Sequence, residues 1–290
     1  MLNTNPTING KTLRLLFPQW QGGYNLNYTL GSELLAWLAP ENDQPTVRIP
    51  VTQDSEGNER KGIKAREQLI KQLKATNHII QAHQPDRIVM FGGNCLANQA
   101  PLAYFNEQYN GKLGLLWIDA HPDISTPCHI NEGHAMVLAH LLGEGDQEFK
   151  SYVKTPFDPK KVMFAGLEPT ASHENEFIQR REIQTTRTDE LKENSKPVLN
   201  WLKKNNIKHL GIHFDLDVLD PSIFSSVLHA KYAKEDIGSP SGKMNFSQVT
   251  RLIQDVSNQT NEVELGVTEH LPWDAINLKN MLNSIPILNS

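Results

Sequence analysis

Several runs in this chain are apolar at most successive positions, with charged or polar residues chiefly at their ends. They include "RIVMFG" (87–92), "LGLLWID" (113–119), "KVMFAGL" (161–167) and "HLGIHFD" (209–215). A strand wetted on one face alternates apolar and polar residues. A strand apolar at consecutive positions is buried on both faces. Helices must then cover both sides of the sheet, and helical crossovers make its strands parallel. Further strands are expected at 13–17, 46–51, 181–186 and 263–269. Amphipathic patterns over 62–83, 195–206, 246–259 and 274–282 supply helices between many of them. The prediction is an α/β chain built on a mostly parallel sheet. No repeat, low-complexity tract or linker interrupts it, so residues 1–290 are expected to form one domain.

Charge and cysteine content narrow the function. The formal net charge is −5, and Lys/Arg runs are as short as Lys203-Lys204 and Arg180-Arg181. Neither nucleic acid nor an anionic membrane surface is an expected partner. Cys95 and Cys128 are too few for a disulfide framework. No basic segment followed by an apolar run opens "MLNTNPTING", and no stretch approaches the roughly 20 apolar residues of a membrane span. A cytoplasmic location is expected.

The informative positions are strand ends. Strand 87–92 runs into "GGNC" (92–95), strand 113–119 into "DAHPD" (119–123), strand 209–215 into "DLDVLD" (215–220), and strand 263–269 into "TEHLPWD" (268–274). Long loops follow Asp123 and Asp217, where open α/β sheets place their sites. Residues i and i+2 of extended chain share a side. Asp119, His121 and Asp123 therefore face one way, as do Asp215 and Asp217. Crowded buried carboxylates repel, and a pair of divalent cations relieves the conflict. Oxygen donors with one or two imidazoles suit manganese best, then zinc, iron, cobalt or nickel. The plainer reading is that such aspartates cap helices or turns. Two clusters at separate apolar strand ends, with a Gly-Gly turn at a third, favour metal.

At these residues the chain resembles the ureohydrolase family of arginase, agmatinase and formimidoylglutamase. "DAHPD" matches its DAHxD motif. "HFDLDVLDP" (213–221) matches SxDxDxxDP, with His213 in the serine place. "GGNC" stands where the family has GGDHS, "EGHAM" (132–136) where it has a histidine before a small residue, and "TEHLPWD" where it has a glutamate near the last strand end. The matches run from about residue 90 to about residue 275; the first 85 residues agree only in general pattern.

The resemblance implies a three-layer α/β/α fold on an eight-stranded sheet. It also implies a binuclear manganese centre held by Asp119, His121, Asp123, Asp215 and Asp217, with Asp119, Asp123 and Asp215 including the bridging groups. A metal-bridging hydroxide would attack a guanidinium carbon. Asp123 would help stabilise the tetrahedral intermediate, His134 would act as proton shuttle, and Glu269 would hold the cationic substrate. A trimer or hexamer follows by resemblance alone.

The departures matter as much. Cys95 takes the place of the first ligand histidine. It could ligate, leave one position depleted, or be an inert buried thiol. As a ligand it would favour Zn2+, Fe2+ or Ni2+ alongside Mn2+. Cys128 is expected at the surface or on a pocket wall. Around "GLEPTASHENEF" (166–177), Ala171 falls near the recognition aspartate, with Glu168, Glu174 and Glu176 close by. Arginine itself is therefore a doubtful substrate, and a different guanidino or formimino compound is equally expected. Two rival functions stay open: a catalytically degenerate protein with a binding or structural role, and a one-zinc amidohydrolase using the Asp-x-His pair and a further aspartate.

Overall fold

The computed structural model describes residues 10–53, 58–230, 238–273 and 276–288. Eight strands form one sheet: β1 Thr12–Phe17, β2 Thr46–Arg48, β3 Arg87–Gly92, β4 Gly114–Ile118, β5 Val162–Ala165, β6 Gln184–Thr186, β7 His209–Asp215 and β8 Asn261–Thr268. Their order is β2-β1-β3-β8-β7-β4-β5-β6, and every pairing is parallel. The helices are α1 Asn27–Leu38, α2 Arg66–His83, α3 Gln99–Gln108, α4 Val137–Leu141, α5 Gln147–Lys150, α6 Ser172–Arg181, α7 Lys196–Lys204, α8 Phe246–Ser257 and α9 Ile276–Leu282.

Strand pleating divides the apolar runs between two cores. From β4, Leu115 and Trp117 join Leu69, Leu73, Leu102 and Leu138 of α2, α3 and α4. Leu116 and Ile118 join Leu35, Trp201, Leu252 and Leu282 of α1, α7, α8 and α9. Both strand faces are therefore apolar, and the result is three layers, α/β/α. On the α3 side the sheet thins at two glycines. A Cβ on Gly211 would stand 2.7 Å from Leu102, and one on Gly266 would stand 1.9 Å from the Asn98 amide. The segment of Cys95–Asn98 and α3 can therefore press directly onto β7 and β8.

Several boundaries differ from the sequence reading, each for a local reason. β2 stops at Arg48; Ile49 adds one bond to Leu16, and Pro50 then lacks a donor. α2 begins at Arg66, because Lys61, Gly62 and Ala65 have positive φ and form a turn. Arg181 belongs to α6, whose end at Glu182 is left-handed, so β6 starts only at Gln184. α3 escaped a periodicity reading because every residue from Gln99 to Asn106 is buried. Of the expected helix at 274–282, residues 274 and 275 lie outside the described residues, as do 231–237 of the loop after Asp217. Among the described residues, no helix is long and apolar enough to cross a membrane.

Candidate metal centre

The carboxyl ends of β3, β4, β7 and β8 meet, because β8, β7 and β4 are consecutive neighbours and β3 flanks β8. After β3, Gly93 lies so close to Gln19 that a Cβ would sit 2.0 Å from its carbonyl oxygen. Asn94 accepts from Leu96 N at 3.1 Å and starts the short 3-10 turn Cys95–Asn98. Cys95 opens that turn and points inward, 2% exposed.

Asp119 and Asp215 each do two jobs. One oxygen closes a turn, as the plainer reading of such aspartates holds. Asp119 Oδ1 accepts from His121 N at 2.7 Å, and Asp215 Oδ1 accepts from Asp217 N at 2.8 Å. The other oxygen faces the cluster. Asp119 Oδ2 accepts from Trp117 Nε1 at 3.0 Å. Asp215 Oδ2 accepts from Thr268 at 3.1 Å and from the Cys95 thiol at 3.0 Å.

Asp123 and Glu269 both adopt left-handed backbone, φ 49° and 63°. That conformation is uncommon for such residues and aims both side chains inward. Asp123 Oδ2 and Asp217 Oδ1 are buried without hydrogen-bond partners among the described residues. His121 Nδ1 lies 3.0 Å from Asp217 Oδ2, while its Nε2 lies 2.9 Å from the Pro240 carbonyl. A carbonyl only accepts, so Nε2 carries the proton, and Nδ1 is the nitrogen turned to the carboxylates.

The groups are charge-frustrated. Burial, with Asp119 beside it, pushes the Asp123 carboxyl well above the usual range. Burial, with Asp217 and Glu269, does the same to Asp215. Burial and then Asp123 raise the Cys95 thiol. For His121, burial opposes protonation, but Asp217 and Asp119 outweigh it and keep the ring cationic well above the ordinary histidine range. These protons stand where metal charge would act. The donors also form compact groups: Cys95, Asp119, Asp123 and His213 in one, Asp119, His121 and Asp217 in a second, Asp215, Asp217 and Glu269 in a third. Within each group the ligand atoms lie within 4.8 Å of one another. Orphaned oxygens, crowded carboxylates and an oriented imidazole fit divalent cations, with Asp119 shared between the first two groups.

Next to this cluster, His134 Nδ1 lies 2.8 Å from Glu269 Oε1. Burial opposes its protonation, yet Glu269 and Glu132 prevail and hold the imidazole charged well above its ordinary range. Cys95 Sγ is 3.3 Å from the same Glu269 oxygen. Tyr28, on α1, donates to Glu269 Oε2 at 2.8 Å.

All eight residues singled out from the sequence converge here: Cys95, Asp119, His121, Asp123, His134, Asp215, Asp217 and Glu269. Cys128 is exposed. Two of the acids after β5 are already engaged. Lys243 pairs with buried Glu168, and Glu174 accepts from Ala171 N at 2.9 Å and Ser125 Oγ at 3.3 Å. Glu176 lines a neighbouring cavity of about 610 Å³, beside Ile124 and Thr126. Sequence reasoning missed Tyr28, which carries no local motif. It also assigned no part to His213, although a histidine inside an apolar strand two residues before Asp215 was a usable signal.

The model of the arginase family matches residues 36–232. The chain belongs to the arginase family. An arginase of Staphylococcus aureus (strain MSSA476) is 25% identical over 189 residues, 62% of this chain. The match spans 62% of the length of that curated relative. An Entamoeba histolytica arginase solved in complex with L-ornithine superposes with TM-score 0.79 at 17% identity, covering 93% of this chain and 94% of that one. The native Bacillus caldovelox arginase also gives 0.79, at 18% identity, covering 94% and 96%. These two structures share the arginase fold seen here. Glu269 lies beyond the residues that the arginase family model matches.

Proposed function

We propose that this arginase-family chain hydrolyses a C–N bond of a linear guanidino or amidino compound, releasing urea or formamide. The observation that carries the reading is the meeting of Cys95, Asp119, His121, Asp123, Asp215 and Asp217 with the charged His134–Glu269 pair at one end of the sheet. Divalent cations, two per chain with manganese as the family's metal and zinc, iron or nickel admitted by Cys95, supply Lewis acidity and activate water when bound. Glu269 holds the cationic amidine in the orientation set by Tyr28 and His134. Asp123 helps stabilise the charge that develops as the planar carbon turns tetrahedral. His134, cationic in this setting, donates its proton to the departing amine.

Two features support a substrate other than arginine. Ala171 offers no carboxylate, and Glu168 and Glu174 are occupied by Lys243, Ala171 N and Ser125. The protein is also proposed to act in the cytoplasm as a homo-oligomer, a trimer or hexamer.

The test is metal analysis followed by a screen. Protein loaded with Mn2+ or Zn2+ is offered linear guanidino and formimino compounds, and urea or formamide is measured. Turnover that drops about 100-fold or more in Asp123→Asn and His134→Asn is the expected result. Protein that takes up none of Mn2+, Zn2+, Fe2+ or Ni2+ would leave the degenerate reading in possession.

A further inference from the structure

His213 is the one residue of this cluster that the proposed chemistry leaves idle. It lies in β7, two residues before Asp215, and its ring is fully buried. It stacks on Trp117, its register partner on β4, with centroids 3.7 Å apart and planes at 19°. The ring plane is therefore locked. Nε2 points toward the strand ends. It stands 3.6 Å from Asp119 Oδ2, within ion-pair reach but too far for a hydrogen bond, and has no hydrogen-bond partner among the described residues. Its neighbours are the Cys95 thiol and the carboxylates of Asp119 and Asp123, all within 4.8 Å.

We infer that His213 Nε2 is a metal ligand, which together with Cys95 Sγ, Asp119 and Asp123 makes a four-donor site that favours zinc over manganese. This rests on the metal-dependent reading above and deepens it. The imidazole absent at position 95 is supplied from β7, two strands away across β8.

Asn98 is placed to serve the assignment after one amide rotation. The Asn98 Nδ2 amide sits 2.8 Å from His213 Nδ1, and its Oδ1 has no hydrogen-bond partner among the described residues. In that orientation the amide donates to Nδ1, so the proton of the neutral ring sits on Nε2. Rotating the amide by 180° exchanges two groups of nearly equal shape. Nδ1–H then donates to Oδ1, and the Nε2 lone pair faces Cys95, Asp119 and Asp123. The rotation leaves no oxygen bond behind, because Oδ1 makes none now. An outer partner that fixes which imidazole nitrogen is protonated is the usual companion of a histidine ligand. Asn98 and Cys95 also belong to one short turn, Cys95–Asn98, so the sulfur donor and the partner that orients the imidazole are positioned together. One thiolate, one imidazole and two carboxylates make a softer set than manganese prefers, and a fitting tetrahedral set for zinc.

The experiment has two arms on the whole protein. In the first, Co2+ is titrated into wild type and His213→Gln, following the thiolate-to-cobalt charge-transfer absorption that reports a metal bound to Cys95. Wild type should show the band, and His213→Gln should need at least about 10-fold more Co2+ to reach it. An unchanged titration, or cobalt bound in wild type without the band, overturns the inference while leaving the hydrolase reading standing. No cobalt bound at all overturns both. The second arm needs no variant: anomalous diffraction at the zinc edge from zinc-soaked wild-type crystals. Density about 2.0–2.1 Å from His213 Nε2 is the expected result. A zinc among Cys95, Asp119 and Asp123 that lies beyond about 3 Å from that nitrogen rejects the assignment. Equal occupancy from equimolar Mn2+ and Zn2+ would overturn the stated preference.

Discussion

Tyr28→Phe isolates one contact under the candidate substrate carboxylate. The hydroxyl donates 2.8 Å to Glu269 Oε2, and both residues are almost fully buried. Burial first, and then Glu269, raise the phenol well above its usual value, so Tyr28 remains a protonated donor at any working pH. Phenylalanine keeps the ring and its packing while removing only the donor. Glu269 keeps His134 and Cys95 at Oε1 but loses its partner at Oε2. A hydrogen bond to a charged acceptor contributes about 1.5–3 kcal/mol, and a carboxylate oxygen left bare inside the protein sits at the upper end of that range. With a urea slope of about 3 kcal/mol/M, the midpoint should fall by about 0.5–1 M at unchanged slope. The assay is equilibrium urea unfolding of chelator-treated protein at neutral pH, followed by circular dichroism. A midpoint shift below about 0.2 M, roughly 0.5 kcal/mol, would refute the reasoning and mean that Glu269 finds another donor.

Two further outcomes follow from titratable groups away from the centre. Glu262, at the start of β8, is pushed up to about 7 by burial, against the opposing pull of Ser257 and Arg87. Because the folded value exceeds the unfolded one, stability is lost as pH rises from about 4.5 to about 7, a penalty of about 3 kcal/mol once complete. Glu262→Gln should therefore gain on wild type between pH 5 and pH 8 in the same urea assay, and a gain that does not grow with pH would contradict the assignment. Asp146 pairs with Arg66 at 2.8 and 3.2 Å and caps α5 through Glu148 N and Phe149 N. Burial works against its ionisation, but the Arg66 bond and the cap hold its carboxyl below the usual range. That stability is present above pH about 4 and lost as pH falls through the depressed folded value. Asp146→Ala should cost about 2–4 kcal/mol at pH 7 and less in acid, because it removes the α5 cap and two bonds to the buried guanidinium, which keeps Glu148 Oε2 at 3.0 Å. Thermal melting at pH 7 and pH 3 checks both the size and the trend.

The layered fold was legible because burial on two faces writes itself into consecutive apolar residues, as in Leu115 to Ile118. The aspartate motifs were legible because an i, i+2 spacing at a strand end leaves few geometries. α3 was not, since a helix buried all round has no polar stripe to set its phase. The true start of β6 was hidden because Arg181 and Glu182 suit a helix end as well as a strand.

By itself the sequence determined that parallel strands would end in carboxylates, histidines and a cysteine. The shared side expected from extended chain did not apply, because β4 stops at Ile118, Asp123 is left-handed and Asp217 lies in the short turn Leu216–Val218. Only the tertiary structure decided which of them meet. The order β3-β8-β7-β4 sets Cys95 against Asp215 and Glu269, and Glu269 against His134, residues separated by more than 100 positions along the chain. It also brought in Tyr28 and turned His213 from an odd residue in an apolar strand into a ring beneath the cluster whose Nε2 makes no hydrogen bond among the described residues. Local sequence carries periodicity and turn chemistry, which act over a few residues. Contacts between strand ends depend on how the crossovers order the sheet, and that order is settled by packing the whole chain at once.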